Sequence, residues 1–111
     1  MKQYTTSEQT AKLIELGFEK PKSISGFIET IPAPIFTFQD FSNKTPIFAY
    51  SIGELIAMVP AKIDGVYCNI DRCGQRSWAI SYDPMIYCCN CAELVDALYD
   101  MCVKLKEEGV I

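Results

Sequence analysis

The side chains best suited to chemistry in this sequence are its six cysteines. Four of them fall into two pairs, Cys68 with Cys73 and Cys88 with Cys91. The first pair lies where a hairpin is expected to bend, and the second lies where a helix is expected to begin. Structural zinc is held tetrahedrally by thiolates that a fold gathers from two such pairs. One interpretation of the four cysteines is therefore a zinc-stabilised binding module.

Two other interpretations of these cysteines compete with zinc. Alternation along a predicted strand gives Cys68 an inward-facing position beside Val66 and Ile70, and cysteine is among the most buried residue types without any metal. The C-x-x-C of Cys88 and Cys91 at a helix start favours thiolate and disulfide exchange, but thioredoxin-like chemistry expects that motif in a βαβ unit, which is not predicted here. We favour packed thiols with no cofactor, then zinc, then a thiol-redox enzyme.

Composition argues against several other functions. The chain has no histidine, which removes Ser–His–Asp and Cys–His nucleophile pairs and imidazole proton transfer. Gly-rich phosphate-binding patterns are absent. The formal net charge of −4 argues against nucleic-acid binding, which depends on clustered Lys and Arg. We predict no catalytic residues, and an enzyme is the less favoured class.

Length and hydropathy indicate an ordinary globular chain. With 111 residues, of which 50% are hydrophobic and 22% charged, we predict one α+β domain covering residues 1–111. The first residues are polar, and the longest apolar runs fall short of the roughly 20 residues that span a bilayer. We therefore expect a cytoplasmic protein that does not insert into a membrane and whose cysteines stay reduced.

Capping patterns predict two helices in the first half of the chain. The first runs from about Ser7 to Leu16, with a capping box formed by Thr5 and Glu8 or by Thr6 and Gln9. The second opens at Ser51, which has Glu54 three residues later, and ends before Pro60. Its predicted buried stripe consists of Ile52, Leu55, Ile56 and Val59.

The stretch between these helices, from Glu19 to Tyr50, shows no sustained periodicity. Its four prolines disrupt regular hydrogen bonding, and we predict only a short edge strand around Ile35–Phe38. Segment 27–50 is too aromatic for a solvated linker. We expect it to wrap the core of its own chain or, as the alternative, to form a homo-oligomer contact.

The second half of the chain predicts an antiparallel hairpin covered by a long helix. Val66, Cys68 and Ile70 alternate with polar residues, and Trp78, Ile80 and Tyr82 do the same, which is typical of two strands with one bulky face. Met85–Cys88 could add a third strand. The last helix is predicted to start at Asn90, with Glu93 three residues on, and to stop near Gly109. Its predicted core side consists of Cys91, Leu94, Val95, Leu98, Met101, Cys102 and Leu105.

Three stretches together resemble a known family. They are Ser7–Gly17, Pro46–Pro60, and Trp78–Tyr82 followed by Glu93–Met101 and Lys104–Glu107. This order is similar to that of small uncharacterised proteins in Bacteroidetes genomes and in their phages and mobile elements. The resemblance implies a bacterial or phage setting without implying an activity. The cysteine set is not part of that family's pattern, which weakens the zinc interpretation.

These observations lead to one expectation for fold and function. We predict an α+β fold in which a long C-terminal helix and an N-terminal helix pack a small antiparallel sheet, either a hairpin or a three-strand meander. We predict a non-enzymatic accessory or interaction protein. Its partner is either another protein or a second copy bound through segment 27–50.

Overall fold

Three helices and two antiparallel sheets form the part of the chain that the structure, a computed structural model, describes: residues 2–29, 44–73, 77–82 and 87–111. The helices are α1 (Ser7–Glu15), α2 (Ile52–Met58) and α3 (Leu94–Glu107). The strands are β1 (Ser23–Glu29), β2 (Lys44–Ala49), β3 (Lys62–Ile63), β4 (Val66–Cys73), β5 (Ser77–Tyr82) and β6 (Tyr87–Cys91). β1 pairs with β2, and β3 to β6 form a second sheet in chain order. The predicted α+β fold is confirmed.

Reciprocal side-chain caps fix the starts of α1 and α2. The Thr6 hydroxyl accepts from the backbone N–H of Gln9, and the Gln9 side chain accepts from the backbone N–H of Thr6. Ser51 and Glu54 form the same exchange at the start of α2. Each box satisfies backbone donors that have no partner inside the helix. Both caps were predicted, and the structure selects Thr6 with Gln9 for α1.

The core lies between α3 and the β4–β5–β6 meander. α3 packs on β5, β6 and α2. Ile80 and Tyr82 are buried beneath it, and Trp78 is partly buried against the same cluster. α1 contributes Leu13 and α2 contributes Leu55, both fully buried. On α3 the buried residues are Leu94, Val95, Ala97, Leu98, Met101, Cys102 and Leu105. The predicted shielding of the hairpin by the last helix is confirmed.

Two predicted core positions on α2 and β4 are exposed instead. Ile56 on α2 and Ile70 on β4 both reach solvent. Ile70 pairs with the buried Ile80 on β5, yet it stays exposed because α3 lies over β5 and β6 rather than over β4. The alternation along β4 was predicted correctly, but alternation alone does not reveal how far a covering helix extends.

The start of the last helix was predicted too early. α3 begins at Leu94 with Glu93 as its N-cap, and Glu93 makes no side-chain capping bond. Asn90 and Cys91 belong to β6, where they pair with Ala79 and Trp78 on β5. The predictions of an Asn90 cap and of Cys91 on the helix stripe are therefore wrong. The third strand exists, but it runs to Cys91, because pairing with β5 continues to that residue.

Residues 23–49 contain a strand pair that the sequence did not predict. β1 and β2 form a two-stranded sheet that contacts the rest of the fold sparingly; we call this pair the arm. The predicted strand at Ile35–Phe38 lies outside the described residues. At the base of the arm, Ala49 and Tyr50 are buried. The Tyr50 backbone N–H donates to the Thr5 hydroxyl, and the Tyr50 hydroxyl donates to the Glu19 carbonyl.

A polar cluster attaches the first residues to α3. The Lys2 backbone N–H donates to Glu93 at 2.9 Å, and the Lys2 ammonium lies 2.6 Å from Asp96 Oδ1. Gln9 donates to the same Asp96 oxygen. Burial alone would raise the pKa of Asp96, but the hydrogen bonds from the Lys2 and Gln9 side chains and the Lys2 charge hold it below its ordinary value.

The described helices are short by the standard of a bilayer. None of the three in these ranges is long and apolar enough to cross a membrane.

Candidate interaction surface

The sheet register separates the cysteines that the sequence grouped together. Cys68 pairs with Tyr82 and Cys91 pairs with Trp78, so these two cysteines lie four residues apart along β5 and on opposite sides of it. Four residues of strand correspond to about 13 Å, whereas sulfurs that share a zinc ion each lie about 2.3 Å from it. Cys68 and Cys91 cannot hold the same ion in this fold.

The other two cysteines occupy defined backbone positions in the same sheet. Cys73 ends β4 opposite Ser77, and Cys88 lies in β6 opposite Ser81. Across residues 2–29, 44–73, 77–82 and 87–111, no group of three Cys, Asp or Glu residues is arranged to hold a metal ion. The register therefore gives no support to a centre that uses all four predicted ligands.

The environments of the thiols disfavour the reactive thiolate form. Burial raises the pKa of Cys68, and burial with the neighbouring Cys89 raises the pKa of Cys102 to about 12. The pKa of Cys91 rises to about 12, first through burial and then through Asp100, whose Oδ2 accepts from the thiol at 3.1 Å. A nucleophilic cysteine requires the opposite shift.

We expect Asp100→Asn to make Cys91 more reactive. The substitution removes a negative charge and a carboxylate acceptor, so the pKa of Cys91 should fall, although burial keeps it above the ordinary value. If the pKa of Cys91 falls by one unit, alkylation at pH 8.5 becomes roughly tenfold faster, because the thiolate is the reacting form. Peptide mapping by mass spectrometry after timed iodoacetamide treatment measures this rate. Asp64→Asn is the control, and an unchanged rate at Cys91 in Asp100→Asn would contradict the assigned contact.

The arm presents one apolar face because of a β-bulge. Ile24 and Phe27 are three residues apart, and this odd spacing would place them on opposite faces of a regular strand. The register shifts between Ile24 and Gly26, so Ile24 pairs with Phe48 and Phe27 pairs with Pro46. Since Pro46 and Phe48 are two residues apart, all four lie on the same face. We call Ile24, Phe27, Pro46 and Phe48 the arm face.

The arm face is open to solvent. Phe27 is 58% exposed, Phe48 49% and Ile24 43%. An isolated two-stranded sheet is marginally stable in water, and it normally buries its apolar face against another element. Single exposed apolar residues are ordinary, whereas a contiguous apolar patch marks a contact site.

A pocket of about 300 Å³ adjoins the arm face where β2 meets α1. It is lined by Thr10, Ile14, Lys20, Pro21 and Phe48. Ile14 is also exposed, so Phe48 joins the arm face to the pocket in one continuous apolar surface. Such a surface can receive an apolar group from another molecule.

Comparisons with known proteins add no family to this description. No protein-family model, curated protein or solved structure matches the chain.

Sequence reasoning identified part of this surface. Segment 27–50 was singled out for its aromatic content, and Phe27 and Phe48 fall within it. Ile14 and Ile24 were missed, since both lie outside that segment. The odd spacing of Ile24 and Phe27 signals a shared face only if the bulge is recognised, and Gly26 beside it is the one local indication.

Proposed function

We propose that this protein is a non-enzymatic interaction protein that uses the arm face and the adjoining pocket to bind another protein. The exposed apolar face of the arm is the observation that carries the proposal. Its exposed side chains present apolar area on the order of 300 Å², counting about 200 Å² for a full aromatic side chain, which is the size of patch that marks contact sites.

The chemistry of the described residues supports an interaction role over the alternatives. The thiol pKa values of Cys68, Cys91 and Cys102 are raised rather than lowered, which disfavours a thiol-redox enzyme. The distance between Cys68 and Cys91 disfavours a zinc-stabilised module. A net charge of −4 disfavours nucleic acid as the partner. We further propose that the protein is encoded by a bacterium or a phage and acts in the bacterial cytoplasm, as the sequence resemblance implies.

Site-specific crosslinking in bacterial cells that produce the protein tests the proposal. We would replace Phe27 with the photo-reactive residue p-benzoyl-phenylalanine and expect a discrete crosslinked product after irradiation. Tyr67→p-benzoyl-phenylalanine is the matched control, because Tyr67 is an aromatic residue, 65% exposed, that lies on β4 away from the arm. A product at position 27 and none at position 67 supports the proposal, whereas equal yields, or no product at position 27, would refute it.

A further inference from the structure

We propose that the arm face binds a second copy of this chain, with Phe27 of each copy inserted into the pocket of the other. This inference rests on the interaction role proposed above and names the partner. The surface carries both a projecting aromatic side chain and a cavity able to receive it, so one patch can serve both sides of a contact.

The projecting group and the cavity fit each other in size. Phe27 is the most exposed side chain of the arm face, at 58%, so it does not fill the pocket of its own chain. A protein cavity of about 150 Å³ accommodates benzene. The pocket beside Phe48 measures about 300 Å³, which leaves room for the ring and for the Cβ that carries it. Its apolar lining from Ile14 and Pro21 matches a phenyl ring chemically.

The spacing of these features suits a two-fold contact. Phe27 pairs with Pro46, and Pro46 lies two residues from Phe48, which lines the pocket. The projecting ring and the pocket are therefore about 7 Å apart on the same face. In an isologous dimer, a contact from one residue of the first copy to a second residue of the other copy is repeated in the reverse direction. A two-fold axis between Phe27 and Phe48 therefore allows both Phe27 rings to insert at once.

The exposed apolar area matches the needs of a small dimer. A stable interface buries roughly 800 Å² on each partner, and slightly more than half of that area is apolar. The order of 300 Å² exposed by Ile14, Ile24, Phe27 and Phe48 supplies most of that apolar share. A buried aromatic anchor surrounded by smaller apolar contacts is typical of an interface centre.

Light scattering and sedimentation of the purified full chain test the inference. We expect a mass of twice 12.5 kDa, at concentrations up to about 100 μM. Phe27→Asp removes the inserted ring, and Ile14→Glu places a charge in the receiving pocket. Each should weaken self-association about 100-fold or more, because either change disrupts both symmetric contacts. Tyr67→Asp, the matched control on β4, should remain dimeric.

Mixing the two variants distinguishes reciprocal insertion of Phe27 into the pocket from non-specific association of apolar surfaces. A Phe27→Asp chain keeps an intact pocket and an Ile14→Glu chain keeps an intact ring, so the mixture restores one of the two contacts. We expect a heterodimer that is weaker than the wild-type dimer but forms where neither variant associates alone. Circular dichroism and urea unfolding of each variant verify that the chains remain folded.

The outcomes distinguish this inference from the proposed function. A monomeric wild-type chain, a dimeric Phe27→Asp chain or a mixture without heterodimers would overturn the reciprocal contact. If the purified chain is monomeric while crosslinking at position 27 gives a product of another mass, the interaction role stands and the second copy is ruled out. If the crosslinked product has twice the mass of the chain, the second copy is supported.

Discussion

Leu98→Ala should lower the free energy of unfolding by about 3 kcal/mol, within the 2–5 kcal/mol typical of buried leucines. Leu98 is fully buried at the middle of α3, in the same cluster as Ile80 and Met101. Truncation removes apolar burial and leaves a cavity that the surrounding sheet and helices fill only in part. Domains of this kind are stable by only about 5–15 kcal/mol, so the loss is a large fraction of the total.

Urea unfolding followed by the fluorescence of Trp78 measures this effect, since the chain has one tryptophan and it contacts the core. Ile56→Ala is the control, because Ile56 is a helical apolar residue that the structure places at the surface. We expect it to cost less than about 1 kcal/mol. Equal losses for the two variants would contradict the placement of α3 over the sheet.

Stability should fall steeply between pH 9 and pH 11. Burial raises the pKa of the Cys102 thiol to about 12, whereas the same thiol in the unfolded chain ionises near pH 9. Between these values the unfolded chain loses a proton that the folded chain keeps, so raising the pH favours unfolding. The contribution of the protonated Cys102 thiol to the free energy of unfolding is fully present below about pH 9, and roughly 2 kcal/mol of it is lost by pH 10.5.

Urea unfolding under reducing conditions from pH 7.5 to pH 10.5 tests this dependence. Cys102→Ala should unfold more easily at neutral pH but lose less stability as the pH rises. Some decline remains, because burial raises the pKa of Cys91 and of Tyr82 as well. Val103→Ala is the control, since Val103 packs near the core without titrating and should retain the wild-type slope. Equal slopes in wild type and Cys102→Ala would show that Cys102 does not contribute to the decline.

The elements that sequence reasoning predicted correctly are those whose signals are local. The Thr6–Gln9 and Ser51–Glu54 caps satisfy backbone groups within one helical turn, so their spacing alone locates a helix start. The alternation of Trp78, Ile80 and Tyr82 likewise reports one strand and the face it buries. Burial along α3 from Leu94 to Leu105 follows from helical periodicity in the same way.

The failures involve signals that local patterns do not contain. Asn90 and Glu93 have the spacing of a helix cap, but pairing with β5 keeps Asn90 in a strand, so tertiary structure overrides the local preference. The arm was missed because its bulge breaks the alternation between Ile24 and Phe27. Predicting the candidate surface also required knowing that Ile14 and Phe48 line the same pocket, a proximity of residues far apart in the sequence that spacing does not encode.

The bulge between Ile24 and Gly26 makes the arm sensitive to chain length as well as to composition. Removing Ser25 would leave Ile24 and Phe27 two residues apart, so a regular strand would keep both on the same side of the hairpin but lose the bend and the added twist of the bulge. The deletion would therefore change the curvature of the arm and leave its apolar face in place. Comparing the two chains would separate what the curvature of the hairpin contributes to recognition from what its apolar side chains contribute.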